Sequence, residues 1–171
     1  MDIVIKVEGW EGESKVKEHT KWTDLMAVKA GVDMPMLSQK TSNSRTTGTA
    51  RHQEILCKTR VNSITSKLFQ AANDAKNLKT VKIDFIKMVN SSAVVYMSYE
   101  MTETYISNVE IEDVGFTERG SDPQYTNASG TLPEVNFKLN YQALTITTFT
   151  FDETGTQTGS VTSGSLTGSG A

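Results

Sequence analysis

The sequence predicts a mainly β protein, an antiparallel two-sheet β-barrel or sandwich with one flanking α-helix at about Thr65 to Asn77. Three observations predict this fold class. Apolar and polar residues alternate in several segments, most regularly from Val135 to Tyr141, as in strands that bury one face. Only one segment has a clear helical period. Glycine, proline and asparagine fall between these segments, where turns are expected.

The helix is predicted from four apolar residues that share one side of a helical wheel: Leu68, Ala71, Ala72 and Ala75. Thr65 or Ser63 can cap its start through a side-chain hydroxyl. Asn77 can end it, because asparagine tolerates the left-handed backbone conformation. Three turns with mostly small apolar residues are unstable alone in water, so we expect this helix to pack on the strands.

Strands are predicted on both sides of the helix. They cover residues 3–7, 22–32 and 53–61 before it, and residues 81–85, 95–101, 105–111, 135–141 and 144–151 after it. A turn near Gln142 is expected to join the last two as a hairpin. The apolar parity shifts between Ile146 and Phe149, which indicates a bulge or burial on both faces. Residues 13–21 are expected to form a surface connection, and residues 114–133 a loop rich in glycine and proline.

Residues 38–51 form a polar, hydroxyl-rich segment without an apolar anchor. Such a segment cannot bury a core of its own. A long loop of this kind in a compact domain is either disordered or serves a partner. The residues alone leave both alternatives open.

The composition changes after Asp152, since residues 154–171 are nearly all threonine, glycine and serine. We interpret them as a flexible tail. The predicted organisation is therefore a single domain over residues 1–153, with an extended loop at 38–51, followed by a C-terminal tail at 154–171.

The composition is that of an ordinary soluble globule, and it argues against several other classes. The formal net charge is −3, without the basic surplus that is typical of nucleic-acid binders. A single cysteine, Cys57, cannot form an internal disulfide and favours a reducing compartment. The first residues lack the basic and apolar regions of a cleavable signal. No apolar run is long enough to span a bilayer, so we expect no membrane insertion.

Candidate catalytic or metal-binding residues are few. His52 and Cys57 are too few ligands for zinc, and Cys57 would need His19 or His52 as a base to act as a nucleophile. The sequence Asp152-Glu153-Thr154-Gly155 is interrupted relative to an aspartic-protease motif, and a turn explains it better. Glu8, Glu11 and Glu13 fit a solvated acidic turn better than a cation site. We therefore expect no catalytic site, no metal and no cofactor.

Several segments together resemble one family. Residues 3–9 (Ile-Val-Ile-Lys-Val-Glu-Gly) and 12–14 resemble the opening of the haemolysin-coregulated protein (Hcp) family, the tube subunits of bacterial type VI secretion systems. Residues 62–71 are similar to the entry of that family's helix, and residues 78–83 to the strand after it. Residues 135–155 are similar to its closing hairpin. The resemblance covers most of residues 1–155.

The resemblance implies a tail-tube-like β-barrel that assembles into hexameric rings. The rings stack into a hollow tube, which a contractile sheath and a spike drive out of the cell, and effector proteins can ride in the lumen. It also implies a structural protein rather than an enzyme, present in the bacterial cytoplasm and then secreted by the type VI system without a signal peptide. Because a ring needs a head-to-tail interface, the polar loop then becomes a plausible assembly arm.

Two groups of residues are assigned on this basis. The expected self-assembly residues are Ser38, Gln39, Lys40, Thr41, Asn43, Arg45, Thr47 and Arg51. The expected lumen-facing residues are Lys82, Asp84, Asn136 and Lys138, although this polar parity could equally face bulk solvent. The alternatives are the tail-tube protein of a phage-like contractile particle, an effector-binding carrier or chaperone, and a secreted enzyme that depends on Cys57 and the histidines.

Overall fold

The computed structural model describes residues 1–38, 45–112, 116–119, 122–125 and 132–167. Within them the chain forms fifteen strands and one helix. In chain order these are β1 (Asp2–Val7), β2 (Thr23–Leu25), β3 (Ala27–Lys29), β4 (Val32–Asp33), β5 (Met36–Ser38), β6 (Arg45–Thr47), β7 (Arg51–His52), β8 (Ile55–Arg60), α1 (Thr65–Asn73), β9 (Thr80–Val89), β10 (Ser92–Glu112), β11 (Phe116–Arg119), β12 (Asp122–Tyr125), β13 (Glu134–Phe151), β14 (Gln157–Thr162) and β15 (Leu166–Thr167).

The main sheet is antiparallel and curled, in the order β2-β1-β9-β10-β13-β8-β3. Its outer strands β2 and β3 are separated in sequence only by Met26. The Met26 amide donates to the carbonyl oxygen of Lys58 at 2.7 Å, and the Thr59 hydroxyl donates to that of Asp24 at 2.7 Å. The two edges therefore meet at residues 23–29. The predicted mainly β fold with one helix is confirmed.

The inner face of the curled sheet and the helix enclose one apolar core. Buried side chains line up across neighbouring strands, as cross-strand pairing requires. One row consists of Val7, Val81, Met101 and Leu144 across β1, β9, β10 and β13. A second row consists of Ile106, Leu139 and Ile55 across β10, β13 and β8. Leu68 and Ala71 of α1 pack into the same core, as predicted.

The strands β10 and β13 run through both halves of the curled sheet. The sequence predicts two strands in each place, whereas the structure has one strand of 21 residues and one of 18. The predicted turn near Gln142 is wrong, because Gln142 lies inside the single strand β13. In the structure, the core-facing positions of β10 change from odd to even residue numbers at a kink at Glu103, whose φ is 48°. Across it the core-facing positions change from Met101 to Thr104.

The ends of α1 differ from the predicted ones. At the start, the Asn62 side-chain oxygen accepts from the Ile64 amide at 3.0 Å, and the Thr65 hydroxyl accepts from the Asn62 amide at 3.0 Å. Ser63 therefore does not cap the helix. At the end, Ala75 takes the left-handed conformation (φ 46°), so the helix stops well before Asn77.

In the segment of residues 8–22, Trp10 packs in the main core and the part after it lies over the outer face of β9. Val4 and Ile86 point away from the main core, yet both are buried. The prediction of a surface connection at residues 13–21 is wrong for Ser14 and His19, which are buried. Phe149 lines a pocket with Ile86 on this outer side, whereas Ile146 packs against the main core. The sequence indicated either a bulge or burial on both faces as the cause of the parity shift between Ile146 and Phe149. The structure shows burial on both faces.

Three segments predicted to be irregular contain strands. β14 and β15 pair with β13, so the prediction of a flexible tail is wrong for them. β11 and β12 pair inside the predicted loop at 114–133. The polar loop contains β6 and β7, which pair with β5 and β4. The predicted strand at 22–32 is divided among β2, β3 and β4. Local backbone pairing supplies order that the apolar pattern does not indicate.

Candidate self-assembly surface

The paired strands β4 with β7 and β5 with β6 form a two-stranded arm, which we define as residues 32–38 and 45–52. Gly31 accepts from the Gln53 amide at 3.0 Å, Val32 pairs with His52, and Met36 pairs with Thr47. These pairs follow directly from the β3–β8 pair, in which Lys29 faces Leu56. The arm is therefore an outward continuation of two barrel strands. In the part of the chain that the structure describes, its strands pair only with each other.

The base of the arm is held by side chains. The side-chain Nε2 group of Gln53 donates to the Asp33 carboxylate at 2.6 Å. The His52 ring meets the Tyr141 ring edge-on, with centroids 6.0 Å apart, and the two polar groups are 3.4 Å apart. These contacts tie the first residues of the arm to β13 of the barrel. They fix where the arm starts.

The predicted assembly residues fall on this arm where the structure describes them. Ser38 pairs with Arg45 between β5 and β6, Thr47 pairs with Met36, and Arg51 pairs with Asp33. Gln39, Lys40, Thr41 and Asn43 lie outside the described residues. The prediction missed the apolar part of the arm, namely Val32, Met34 and Met36, which are 48%, 47% and 60% exposed.

A second exposed apolar feature is a notch between α1 and the end of β10. We call it the notch; its volume is about 790 Å³, and it is lined by Val61, Thr65, Ser66, Phe69, Asn73 and Ile111. Phe69 is 41% exposed and Ile111 is 51% exposed. The sequence placed Phe69 at the edge of the helical stripe, but the partner position on β10 could not be found without the fold.

The outer polar face holds the predicted lumen residues in two separate places. Asn136 and Lys138 line a groove of about 470 Å³ beside β3 and β8, together with Leu56 and Glu110. Lys82 lies on the other half of the sheet and forms an exposed ion pair with Glu100 at 3.0 Å. These three side chains are open to solvent contact, as a wet lumen requires.

Asp84 differs from the other three, because its carboxylate lies beneath residues 8–22. It accepts from the His19 Nε2 atom at 2.9 Å and from the Ser98 hydroxyl at 2.6 Å. The Asp84 side chain is only 14% exposed. A hydrolytic triad places the histidine between serine and acid, whereas here the acid lies between the other two. The cluster therefore holds a surface segment on the sheet and does not activate the serine.

The other sequence candidates are dispersed. Cys57 points into the core, and burial raises the pKa of its thiol and favours the neutral form. Glu11 pairs with Lys21 at 3.0 Å, and Glu13 accepts from the Ser63 amide at 3.1 Å. The Asp152 carboxylate caps the turn into β14, and its pKa is lowered by hydrogen bonds from Thr154 and from backbone amides. Among the described residues, no three His, Cys, Asp or Glu side chains are grouped to hold a metal ion.

Comparison with known proteins decides the family. Residues 4–148 match the family model described as type VI secretion system effector, Hcp. The chain belongs to the Hcp family. The resemblance noted in the sequence is thereby confirmed. No curated protein matches the chain in sequence.

Solved structures similar to this Hcp chain share its fold. One, described as a type six secretion system protein, has a TM-score of 0.80 at 19% identity, covering 94% of this chain and 91% of its own. A type VI secretion system effector from Yersinia pestis has a TM-score of 0.69 at 16% identity, covering 97% and 99%. An Hcp protein from Salmonella typhimurium has a TM-score of 0.68 at 13% identity, covering 94% and 91%.

Membership of the Hcp family makes this chain a tube subunit of a type VI secretion system. Hcp is a structural tube protein and not an enzyme family. The family also indicates a secreted protein. The described ranges contain one helix, which has nine residues. It is not long and apolar enough to cross a membrane.

Proposed function

We propose that this chain assembles into hexameric rings that stack into the hollow inner tube of a type VI secretion system. The observation that carries the proposal is the arm, a paired ribbon that leaves the barrel with exposed apolar side chains and no core of its own. Exposed apolar groups on a projecting element are typical of interaction sites. In a tube subunit, the partner they fit best is another copy.

The proposal includes the rest of the machine. A contractile sheath and a spike drive the tube outward, and the chain passes from the bacterial cytoplasm to the target. The polar groove with Asn136 and Lys138, together with Lys82, faces the lumen, where it contacts effector proteins carried in the ring. The chain performs no catalysis, because Asp84 separates Ser98 from His19 and Cys57 is buried.

The test is the mass in solution by light scattering, with negative-stain images of the same fraction. The parent chain is expected to form six-fold rings. A variant in which residues 34–50 are replaced by a short Gly-Ser turn is expected to be monomeric with an unchanged barrel, because the core contains none of these residues. Val161→Ser, a matched change at an exposed apolar residue on β14, is expected to keep the ring. A strictly monomeric parent at high concentration would contradict the proposal.

A further inference from the structure

A loop over the outer face of the main sheet is anchored by one buried side chain. We call residues 13–22 the strap. Its ends are joined by the backbone, because the Ser14 amide donates to the Trp22 carbonyl at 2.8 Å. In the part of the chain that the structure describes, His19 is the only side chain of the strap that hydrogen-bonds to a strand of the sheet. It does so through the Asp84 carboxylate at 2.9 Å, and is therefore the polar anchor of the strap.

The backbone on both sides of this anchor is strained. Glu18 and Lys21 have φ angles of 67° and 69°. These lie in the left-handed region, which residues with a Cβ atom disfavour. Such conformations persist only where the surrounding contacts hold them in place. The strap is therefore expected to leave this conformation when its anchor weakens.

Both ring nitrogens of His19 face oxygen atoms that accept hydrogen bonds. Nε2 lies 2.9 Å from one Asp84 carboxylate oxygen, and Nδ1 lies 3.3 Å from the Lys17 carbonyl oxygen. The other Asp84 oxygen accepts from the Ser98 hydroxyl at 2.6 Å. A neutral imidazole has a single N–H group, whereas the charged ring has two. Only the charged ring can therefore donate to both oxygens that face it.

The other charged groups around the anchor have partners elsewhere or lie in solvent. Lys82 and Glu100 pair with each other at 3.0 Å on β9 and β10. Lys6 on β1 donates to a backbone carbonyl before the strap at 2.8 Å. Lys87 on β9 lies over the Phe151 ring, 5.5 Å from its centroid. The remaining residues of strap, β13 and β14 around the anchor are exposed or uncharged, namely Lys17, Glu18, Phe149, Phe151 and Gln157.

We infer that the strap is a pH-sensitive cover of the outer face. It lies on the sheet while His19 is charged, and it loosens when the ring becomes neutral, because one of the two hydrogen bonds is then lost. Histidine is the side chain that ordinarily changes charge between about pH 5 and 8. The strap is therefore held closed at the acid end of this range and opens more often at the alkaline end. Opening uncovers a pocket of about 340 Å³ that the strap forms with Ile86 and Phe149.

The test is amide hydrogen exchange of the full chain at about pH 6 and about pH 8.5, corrected for the intrinsic exchange rate at each pH. In the parent, protection of the strap amides should fall roughly tenfold between the two conditions, as expected for the loss of one hydrogen bond to a charged group. His19→Gln keeps a neutral donor, so its strap should be weakly protected at both pH values. His52→Gln is the matched control, because it removes the only other histidine and should behave like the parent.

Tryptophan fluorescence reports the charge of His19 in the same samples. The chain has two tryptophans, Trp10 and Trp22. The Trp22 ring meets the His19 ring edge-on, with centroids 4.7 Å apart. A charged imidazole ring quenches an adjacent indole, so the emission should rise over the pH interval in which the strap loses protection. His19→Gln should not show this rise.

Equal protection of the strap at both pH values in the parent, or the same pH dependence in His19→Gln, would overturn the inference. A parallel loss of protection in Thr80–Val89 would also overturn it, because the whole barrel would then be opening. If His19→Gln does not fold, the parent and His52→Gln decide the question. A rise in their emission that is separated in pH from the loss of strap protection would contradict a cover controlled by His19.

Discussion

The carboxylate of Asp84 connects three parts of the molecule that are distant in sequence. It belongs to β9, accepts from Ser98 on β10, and accepts from His19 in the segment that covers the outer face. A buried hydrogen-bonding group that loses its partner costs about 1–3 kcal/mol. Asp84→Ala removes the acceptor from two such donors at once, His19 and Ser98. We expect its free energy of unfolding to fall by at least about this amount, measured by urea denaturation.

Glu100→Ala is the matched control for that substitution. Glu100 is also an acid that faces outward, but its pair with Lys82 is about half exposed. Exposed ion pairs contribute roughly 0–1 kcal/mol, so this variant should remain close to the parent. Equal losses in the two variants would show that the His19–Asp84–Ser98 cluster does not stabilise the fold. The alternation of β9 placed Asp84 on the outer face, but it could not show that His19 would cover it, because their contact spans 65 positions.

The kink in β10 is the element that lets two long strands serve both halves of the sheet. Glu103 has a left-handed backbone there, a conformation that costs a non-glycine residue about 1–2 kcal/mol. Glu103→Gly removes this cost, whereas Glu103→Val adds the restriction of a β-branched side chain. We expect the valine variant to unfold at a lower temperature than the glycine variant. Both lose the side-chain contact with Asn77, so their difference reports the backbone alone.

The sequence predicts correctly those elements that the pattern of apolar side chains determines. It does not predict the strands that are determined by backbone pairing alone. The alternation around Val135 and the stripe at Leu68 lead to the correct strand and helix. Neither predicted hydroxyl caps the helix: the Asn62 side-chain oxygen accepts from the Ile64 amide just before it, and no side chain caps the helix itself. Strand β14 has one large apolar residue, Val161, so its pairing with β13 produces no alternation of apolar and polar residues in the sequence.

At the scale of the whole molecule, stability is expected to differ between the barrel and the strands added to it. No side chain of β14 is fully buried, and threonine hydroxyls and backbone pairs hold it to β13. The strand β9 contributes Val81, Ile83 and Phe85 to the core. Amides on strands with few buried contacts exchange through local opening. Hydrogen exchange should therefore be faster in Gln157–Thr162 than in Thr80–Val89.

Equal protection of β14 and β9 would show that the C-terminal strands unfold only with the barrel.

The assembly surface could be predicted only in part from the sequence. The polar composition of residues 38–51 left open a mobile loop or a partner-binding segment, and only the family resemblance favoured an assembly arm. The notch was beyond prediction because it is lined by Phe69 and Ile111 together, and these residues are brought near each other only when α1 packs against β10.

The unbroken course of β10 and β13 has a mechanical consequence. Their shared ladder extends from Met97 and Thr148 to Glu112 and Glu134. A pull applied along these strands shears many backbone bonds together, whereas two short hairpins could be peeled open one bond at a time. A subunit built this way should resist a force applied along these strands, and a load received at one half should reach the other half through the backbone.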